Sequence, residues 1–259
     1  MEGAGASLTW WGLSLCYVLV LVVMGLSIRE RYGIEREIFW SSLRAAAQLV
    51  AMGYAIHWIF QVEGLWFSLV VLTVMALYGG RVSAARGRGV PEAGRIAGIA
   101  VVAASAFTVG TLVLLGVIRP EARYVLPLGG MIVGSAMNGS SLALNRLRGE
   151  LELRVREVEG ALALGLSGRE AARPARREAV LAATIPAVDS LKTVGVIHLP
   201  GMMSGMIIAG ASPIEAIQYQ LVVLYMLLAA KCLGALFAAT LASRNFFNEA
   251  EQLHMPPIG

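Results

Sequence analysis

Long apolar runs alternate with short polar segments along almost the whole chain. Seven of them reach or approach the length of a transmembrane helix, about 20 residues. They cover roughly 8–28, 38–60, 65–80, 96–118, 124–144, 179–198 and 216–242. The third is short by this measure. The sixth is followed by Pro200–Gly210, apolar but broken by Pro and Gly, a pattern that fits either a re-entrant turn or a distorted helix end. The pattern predicts an all-α fold: a polytopic integral membrane helical bundle of about seven transmembrane helices, forming one domain over 1–259.

The cationic residues orient these spans. With the N-terminus placed outside, 16 of the 21 Lys and Arg fall in inner segments, eight of them between 146 and 177. Only Arg119 and Arg123 fall in outer segments, and Arg44, Lys192 and Lys231 lie within spans. The positive-inside rule then predicts an N-out, C-in chain. The N-terminal run lacks a preceding Lys or Arg and is too long for an h-region, so it is expected to be a span and not a signal peptide.

The longest inner segment, 145–178, carries its own helical pattern. Leu151, Val155, Val158, Leu162 and Leu166 form an apolar stripe, and Glu150–Arg154 and Glu152–Arg156 are favourable i,i+4 pairs. Ser167 and Glu170 have the spacing of a capping box that opens a second helix. The segment reads as an amphipathic element lying outside the membrane, either on the inner leaflet or against a partner.

Polar residues recur at helical spacing inside three spans: Ser41, Arg44 and Gln48; Ser135, Asn138, Ser141 and Asn145; and Asp189, Lys192 and Thr193. Such residues at lipid depth are costly, and they face a bundle interior or water. The three helices are therefore expected to face one another. The sole Asp of the chain, Asp189, lies one turn from Lys192, and the two form either a buried neutralising pair or part of a polar path. Met202, Met203 and Met206 follow His198. Packing is one role for these thioethers and soft-metal ligation another. Candidate metal ligands are thus Asp189, His198, Met202, Met203 and Met206. Gln218 and Gln220 diverge by more than a quarter turn, so only one lines a common path, and Gln218 is taken with Glu215 and Tyr219. Gly130-x-x-x-Gly134 and Gly201-x-x-x-Gly205 permit close helix approach, within the chain or in a dimer.

Composition sharpens the class. The chain is 57% hydrophobic and 15% charged, against about 45–50% and about 25% in soluble domains. The net charge of +4 is accounted for by inner loops and gives no reason to expect nucleic acid. Cys16 and Cys232 both lie in apolar segments, leaving neither a disulfide framework nor a CxxC site. A Walker A sequence requires Lys after Gly, but Lys192 follows Leu191 and Lys231 follows Ala230. If ATP drives this protein, a separate chain hydrolyses it.

One long stretch, LKTVGVIHLPGMMSGMIIAGASPIEAIQYQLVVL, together with SSLRAAAQLV and PLGGMIVGSAMNGSSLALNRL, resembles the FetB-like iron-export permeases and, similarly, the plant aluminium-tolerance membrane proteins. The resemblance implies the membrane subunit of a bacterial ABC transporter in the cell (inner) membrane. It further implies a homodimer that exports iron or a related metal and works with an ATPase carrying ATP and Mg, this chain holding no cofactor. Glu159-Gly160-Ala161-x-x-x-Gly165 resembles the loop by which such permeases dock a short cytoplasmic coupling helix in the ATPase, although the Ile-x-Leu-Pro that usually follows is missing. The coupling residues would be Glu159, Ala161 and Gly165. The transport path would run by Arg44, Gln48, Asn138, Asp189, Lys192, Met202, Met203 and Gln218.

The alternatives are an exporter of a small metabolite such as a sugar nucleotide, an intramembrane enzyme and a passive scaffold. An enzyme needs a nucleophile within reach of a base. Ser204 lacks the surrounding Gly pattern, and His57 and His198 both sit near outer ends of spans. The charged residues inside three spans argue against a scaffold.

Overall fold

A computed structural model describes residues 10–59 and 65–256. The chain divides into two compact units, Met1–Val62 and Glu63–Gly259. The side chain of His57 lies outside the described residues.

The first unit is a helical hairpin of α1 (Trp10–Glu30) and α2 (Glu35–Ile59). Arg31 and Gly33 both take positive φ in the connection, turning the chain within a few residues. Two polar contacts hold the pair. Ser27 Oγ donates to Glu35 Oε2 at 2.9 Å, and the Tyr17 and Ser42 hydroxyls meet at 3.1 Å. Leu19 and Leu49 are among many large apolar side chains left on the surface.

The second unit contains α3 (Leu65–Arg86), α4 (Ala93–Leu114), α5 (Ala122–Leu153), α6 (Val155–Ala163), α7 (Gly168–Ala171), α8 (Arg173–Thr193), α9 (Gly201–Ile208) and α10 (Pro213–Arg244). The two 32-residue helices, α5 and α10, pack along each other and form its spine. Helices α3, α4 and α8 surround them, while α9 packs on α10. Among the described residues three helices, Trp66–Arg86, Ala93–Leu114 and Pro213–Arg244, are long and apolar enough to cross a bilayer.

The interior of this unit is built from small residues. Ala97, Ala100, Ala136, Ala230, Ala235 and Ala239 are fully buried, whereas Val70, Val74, Phe107 and Leu114 project outward. Hydrocarbon gives no reason to hide a large apolar side chain, so helices associate through small residues that let backbones approach. The chain is a helical membrane protein with that arrangement. At the tightest crossing, a β-carbon at Gly234 would stand 2.5 Å from Ala136 O, and one at Gly139 would overlap Lys231 O. A second crossing brings Gly80 of α3 against Gly98 of α4, where a β-carbon would lie 2.6 Å from the Gly98 Cα.

Several expectations are corrected by these contacts. The third apolar run is not short, because Gly79-Gly80 is a crossing point and the helix continues to Arg86. The expected glycine pairs are used only in part: a β-carbon at Gly130 would lie 3.1 Å from Met75 Cε of α3, whereas among the described residues β-carbons at Gly134, Gly201 and Gly205 would meet nothing. The segment after the sixth run is an eight-residue helix of its own, α9, and α8 stops at Thr193. Gly195, with φ +82, turns the chain there by donating its amide to His198 O.

Candidate functional site

The polar residues singled out in the sequence fall into three places. On α2, Ser41, Arg44 and Gln48 are all exposed on one face, and Arg44 borders a shallow hollow with Arg36, Glu37 and Trp40. This face belongs to the first unit.

On α5, the expected polar face splits in two. Ser135 turns toward α10 and donates to Leu227 O at 2.7 Å, while the neighbouring Ser140 donates to Gly234 O at 3.1 Å. These hydroxyls satisfy the crossing. Asn138 is exposed, and the Asn145 amide reaches Arg86 O of α3 at 3.4 Å. Ser141 is buried without a hydrogen-bond partner among the described residues. So is the Oε1 of Gln220, whereas Gln218, the residue chosen from the sequence, is exposed on α10. Of the two glutamines, Gln220 is the one aimed into the bundle. Its buried position is what a helical wheel through Ala216, Gln220 and Val223 would have shown, since all three share the packed face.

The third place is the end of α8. Lys192 Nζ donates to Asp189 Oδ1 at 3.0 Å, and the two side chains are 68% and 55% exposed. The expected pair is therefore formed, but it is not buried within the chain. The reason is visible along the helix: Ala175, Ala179 and Ala183 bury its first half against α5 and α10, and none of the last ten residues is buried. His198 is exposed in the following turn, and Met202, Met203 and Met206 are half-buried on α9. Met202 packs against the Ala136–Val223 core, which is the packing role. Among the described residues no three His, Cys, Asp or Glu side chains converge as metal ligands would.

At the opposite end of α5 the structure shows more organisation than the sequence suggested. Helix α5 breaks at Arg154, and α6 begins at once. Glu150 is buried between Arg146 at 2.8 Å and Arg154 at 3.1 Å, and Arg154 also reaches Glu157 at 3.2 Å. These carboxylates, Glu150 first, hold the Arg154 guanidinium above its ordinary pKa. The Glu150–Arg154 pair is thus formed. The expected Glu152–Arg156 pair is not, because the helix is interrupted between them, and Glu152 pairs with Arg148 at 2.8 Å. Arg148 is nearly buried and also donates to Gly89 O and to Pro256 O, the latter at 3.0 Å. It ties α5 to the α3–α4 turn and to the C-terminal tail.

Within α6, Val158 is buried and Glu159 and Gly160 are exposed, while Ala161 and Leu162 pack against the core. Gly165, at φ +87, ends the helix. Its amide donates to Leu162 O at 2.9 Å and that of Leu166 to Ala161 O at 3.1 Å, the paired bonds of a left-handed helix cap. The capping box that follows is present. Ser167 receives the Glu170 amide, and the Glu170 carboxylate accepts from Ser167 Oγ at 2.7 Å and from its amide at 3.1 Å. Those bonds hold Glu170 below its ordinary pKa.

The tail was missed in the sequence. Phe246 is fully buried, and the segment beyond it folds back, with the His254 amide on Phe246 O at 2.7 Å. Asn248 closes the loop by accepting from the Ala250 and Gln252 amides, and the Glu251 carboxylate accepts from the Gly168 amide. The signal for it was the aromatic pair Phe246-Phe247 followed by an Asn, an apolar anchor ahead of a turn former.

The family described as an uncharacterised protein family, UPF0014, matches residues 10–247. The chain is similar to "Protein ALUMINUM SENSITIVE 3" of Arabidopsis thaliana, 36% identical over 91% of this chain and 86% of the relative. It is similar to "Probable iron export permease protein FetB" of Escherichia coli (strain K12), 35% identical over 93% of each chain. It is also similar to "UPF0014 membrane protein STAR2" of Oryza sativa subsp. japonica, 37% identical over 91% of this chain and 83% of that one. No solved structure matches it.

Proposed function

The chain belongs to the UPF0014 family, and from that premise we propose that it is the membrane permease subunit of an ABC exporter that moves iron or a related metal out of the cytoplasm. The observation that carries this reading is the end-to-end similarity to the probable iron export permease of E. coli, over 93% of both chains. In this reading residues 1–259 act as a single permease domain with seven spans, N-out and C-in, in the cell membrane. Two copies pair, and each engages a separate ATPase that binds ATP and Mg.

Helix α6 is the coupling element of this proposal. It is short, follows a break in the longest helix and leaves Glu159 and Gly160 uncovered at one end of the bundle. Exposed Leu153 and Leu164 flank it and give a partner apolar surface to cover. The transport path would involve Arg44, Gln48, Asn138, Asp189, Lys192, Met202, Met203 and Gln218. Transient ligation by a carboxylate, an imidazole or a thioether suits a moving ion better than a closed high-affinity site.

The test is co-purification with a candidate ABC ATPase, followed by reconstitution into liposomes. ATP-dependent movement of ferrous iron, in the direction that empties the cytoplasmic side, is the expected result. Stimulation of ATP hydrolysis by a sugar nucleotide and by no metal would replace the substrate with a small metabolite. Failure of any ATPase to associate would remove the ABC assignment.

A further inference from the structure

Four arginines gather where α7, the first turns of α8 and the end of α10 meet. Arg169, Arg173 and Arg176 line one cleft of about 460 Å3 with Ser167 and Glu170. Arg244, in the last turn of α10, is close enough to act on Arg176. Among the described residues none of the four forms an ion pair, although Arg146, Arg148 and Arg154 nearby all do. The one carboxylate lining the cleft, Glu170, is held through its Oε2 by Ser167 and pairs with none of the arginines. Arg176 reaches only long contacts, to Arg169 O at 3.5 Å and Ser243 Oγ at 3.4 Å. Burial, and then the charges of Arg169, Arg173 and Arg244, push its guanidinium below its ordinary pKa. An arginine remains charged regardless, so the arrangement keeps like charges together with too little counter-charge. Such an excess is stabilised by an anion with several acceptor oxygens, which guanidinium forks engage in pairs.

The position of the cleft narrows the chemistry. Both helices leave the cleft as apolar segments: α10 is long and apolar enough to cross a bilayer, and α8 becomes largely uncharged after Glu178. With α8 and α10 as membrane helices, the cleft lies at the level where a bilayer's headgroups begin. Basic pockets between membrane helices at this level suit acidic headgroups.

We propose that the cleft lined by Arg169, Arg173 and Arg176 binds a phosphate-bearing anion, either the headgroup of an acidic phospholipid or a free phosphate. This depends on α8 and α10 being membrane helices and not on what the protein transports, so it stands or falls apart from the exporter reading.

The experiment uses the full-length protein purified in a neutral detergent, with binding read by native mass spectrometry and by thermal unfolding. The probes are phosphatidylglycerol, phosphatidylcholine and inorganic phosphate. Phosphatidylglycerol is expected to bind and raise the unfolding temperature where phosphatidylcholine does not. The double variant Arg173→Gln/Arg176→Gln is expected to bind it about 30-fold more weakly, from the contribution of each surface arginine. Arg81→Gln/Arg86→Gln, which removes the same charge elsewhere, is expected to leave binding unchanged. If the double variant does not fold, the exposed Arg173→Gln alone should weaken binding about fivefold. Stabilisation by inorganic phosphate that competes with the lipid would assign the site to a free phosphate. Equal binding of both anionic probes by wild type and variants, or no binding of either, would overturn the proposal.

Discussion

Gly139 of α5 meets the carbonyl of Lys231 in α10 so closely that a β-carbon at position 139 would overlap that oxygen. A few residues on, Gly234 of α10 takes the same position against Ala136 O, so each helix offers a glycine to the other's backbone. Ser135 and Ser140 add hydroxyl-to-carbonyl bonds across the same seam. Gly139→Ala is therefore expected to push the spine apart and cost about 1–3 kcal/mol, as overpacking does. Gly134→Ala, five residues earlier, meets nothing among the described residues and is expected to be neutral. Thermal unfolding of both variants in detergent checks this, and equal stability would contradict the crossing.

This contrast shows where sequence reading stopped. The helix positions were legible because the apolar runs are long and bounded by charge. The Ser167–Glu170 box and the Glu150–Arg154 pair were legible because each lies within one turn of chain. The Gly139–Lys231 approach joins residues far apart in sequence, and no local spacing distinguishes Gly139 from Gly134. Arg148 read as one more inner-loop cation. Only the fold brings it Gly89 O and Pro256 O. Gln220 was passed over for Gln218 because the choice depends on which face of α10 meets α5.

Arg148 should behave as a clasp. Replacing it by Met keeps much of the stem but leaves two carbonyls without their donor. A fully buried unsatisfied group costs about 1–3 kcal/mol, and these two carbonyls are partly buried, so the loss should fall toward the lower end. The tail is expected to loosen first, so limited proteolysis near Glu251 should become faster in Arg148→Met than in wild type. Unchanged cleavage would mean that Phe246 alone holds the tail.

Orientation is checked by single cysteines in a background lacking Cys16 and Cys232. Arg86→Cys and Arg169→Cys occupy exposed positions near the ends of α3 and α7. Both are expected to react with an impermeant maleimide only from the cytoplasmic side, from the excess of arginine in these segments. Labelling of either from outside would reverse the proposed topology.

The coupling role of α6 is separable from its folding. Gly165 occupies a left-handed position, so Gly165→Leu would strain the cap and confuse the two effects, while Gly165→Asn should be tolerated better. Gly160 is exposed and helical, and a β-carbon there would meet nothing among the described residues. Gly160→Leu is therefore expected to fold normally and to impair ATPase engagement. Normal substrate-stimulated hydrolysis by that variant would make α6 a surface helix only.

The Asp189–Lys192 pair poses the sharpest choice. Its side chains are 55% and 68% exposed and, among the described residues, touch no other helix through a hydrogen bond. An ion pair in water contributes about 0–1 kcal/mol, so the pair is not needed to hold α8 to the bundle. In hydrocarbon each unpaired charge costs about 3 kcal/mol, so Asp189→Asn alone strands Lys192 and should lower the amount of protein inserted. Asp189→Asn with Lys192→Met removes both charges and should insert normally. If Asp189 takes part in cation passage, that double variant is expected to reach the membrane and lose metal transport, measured per inserted protein in liposomes. Full transport by the double variant would leave the pair as mutual neutralisation, and the path would then be sought at Arg44, Gln48 and Asn138.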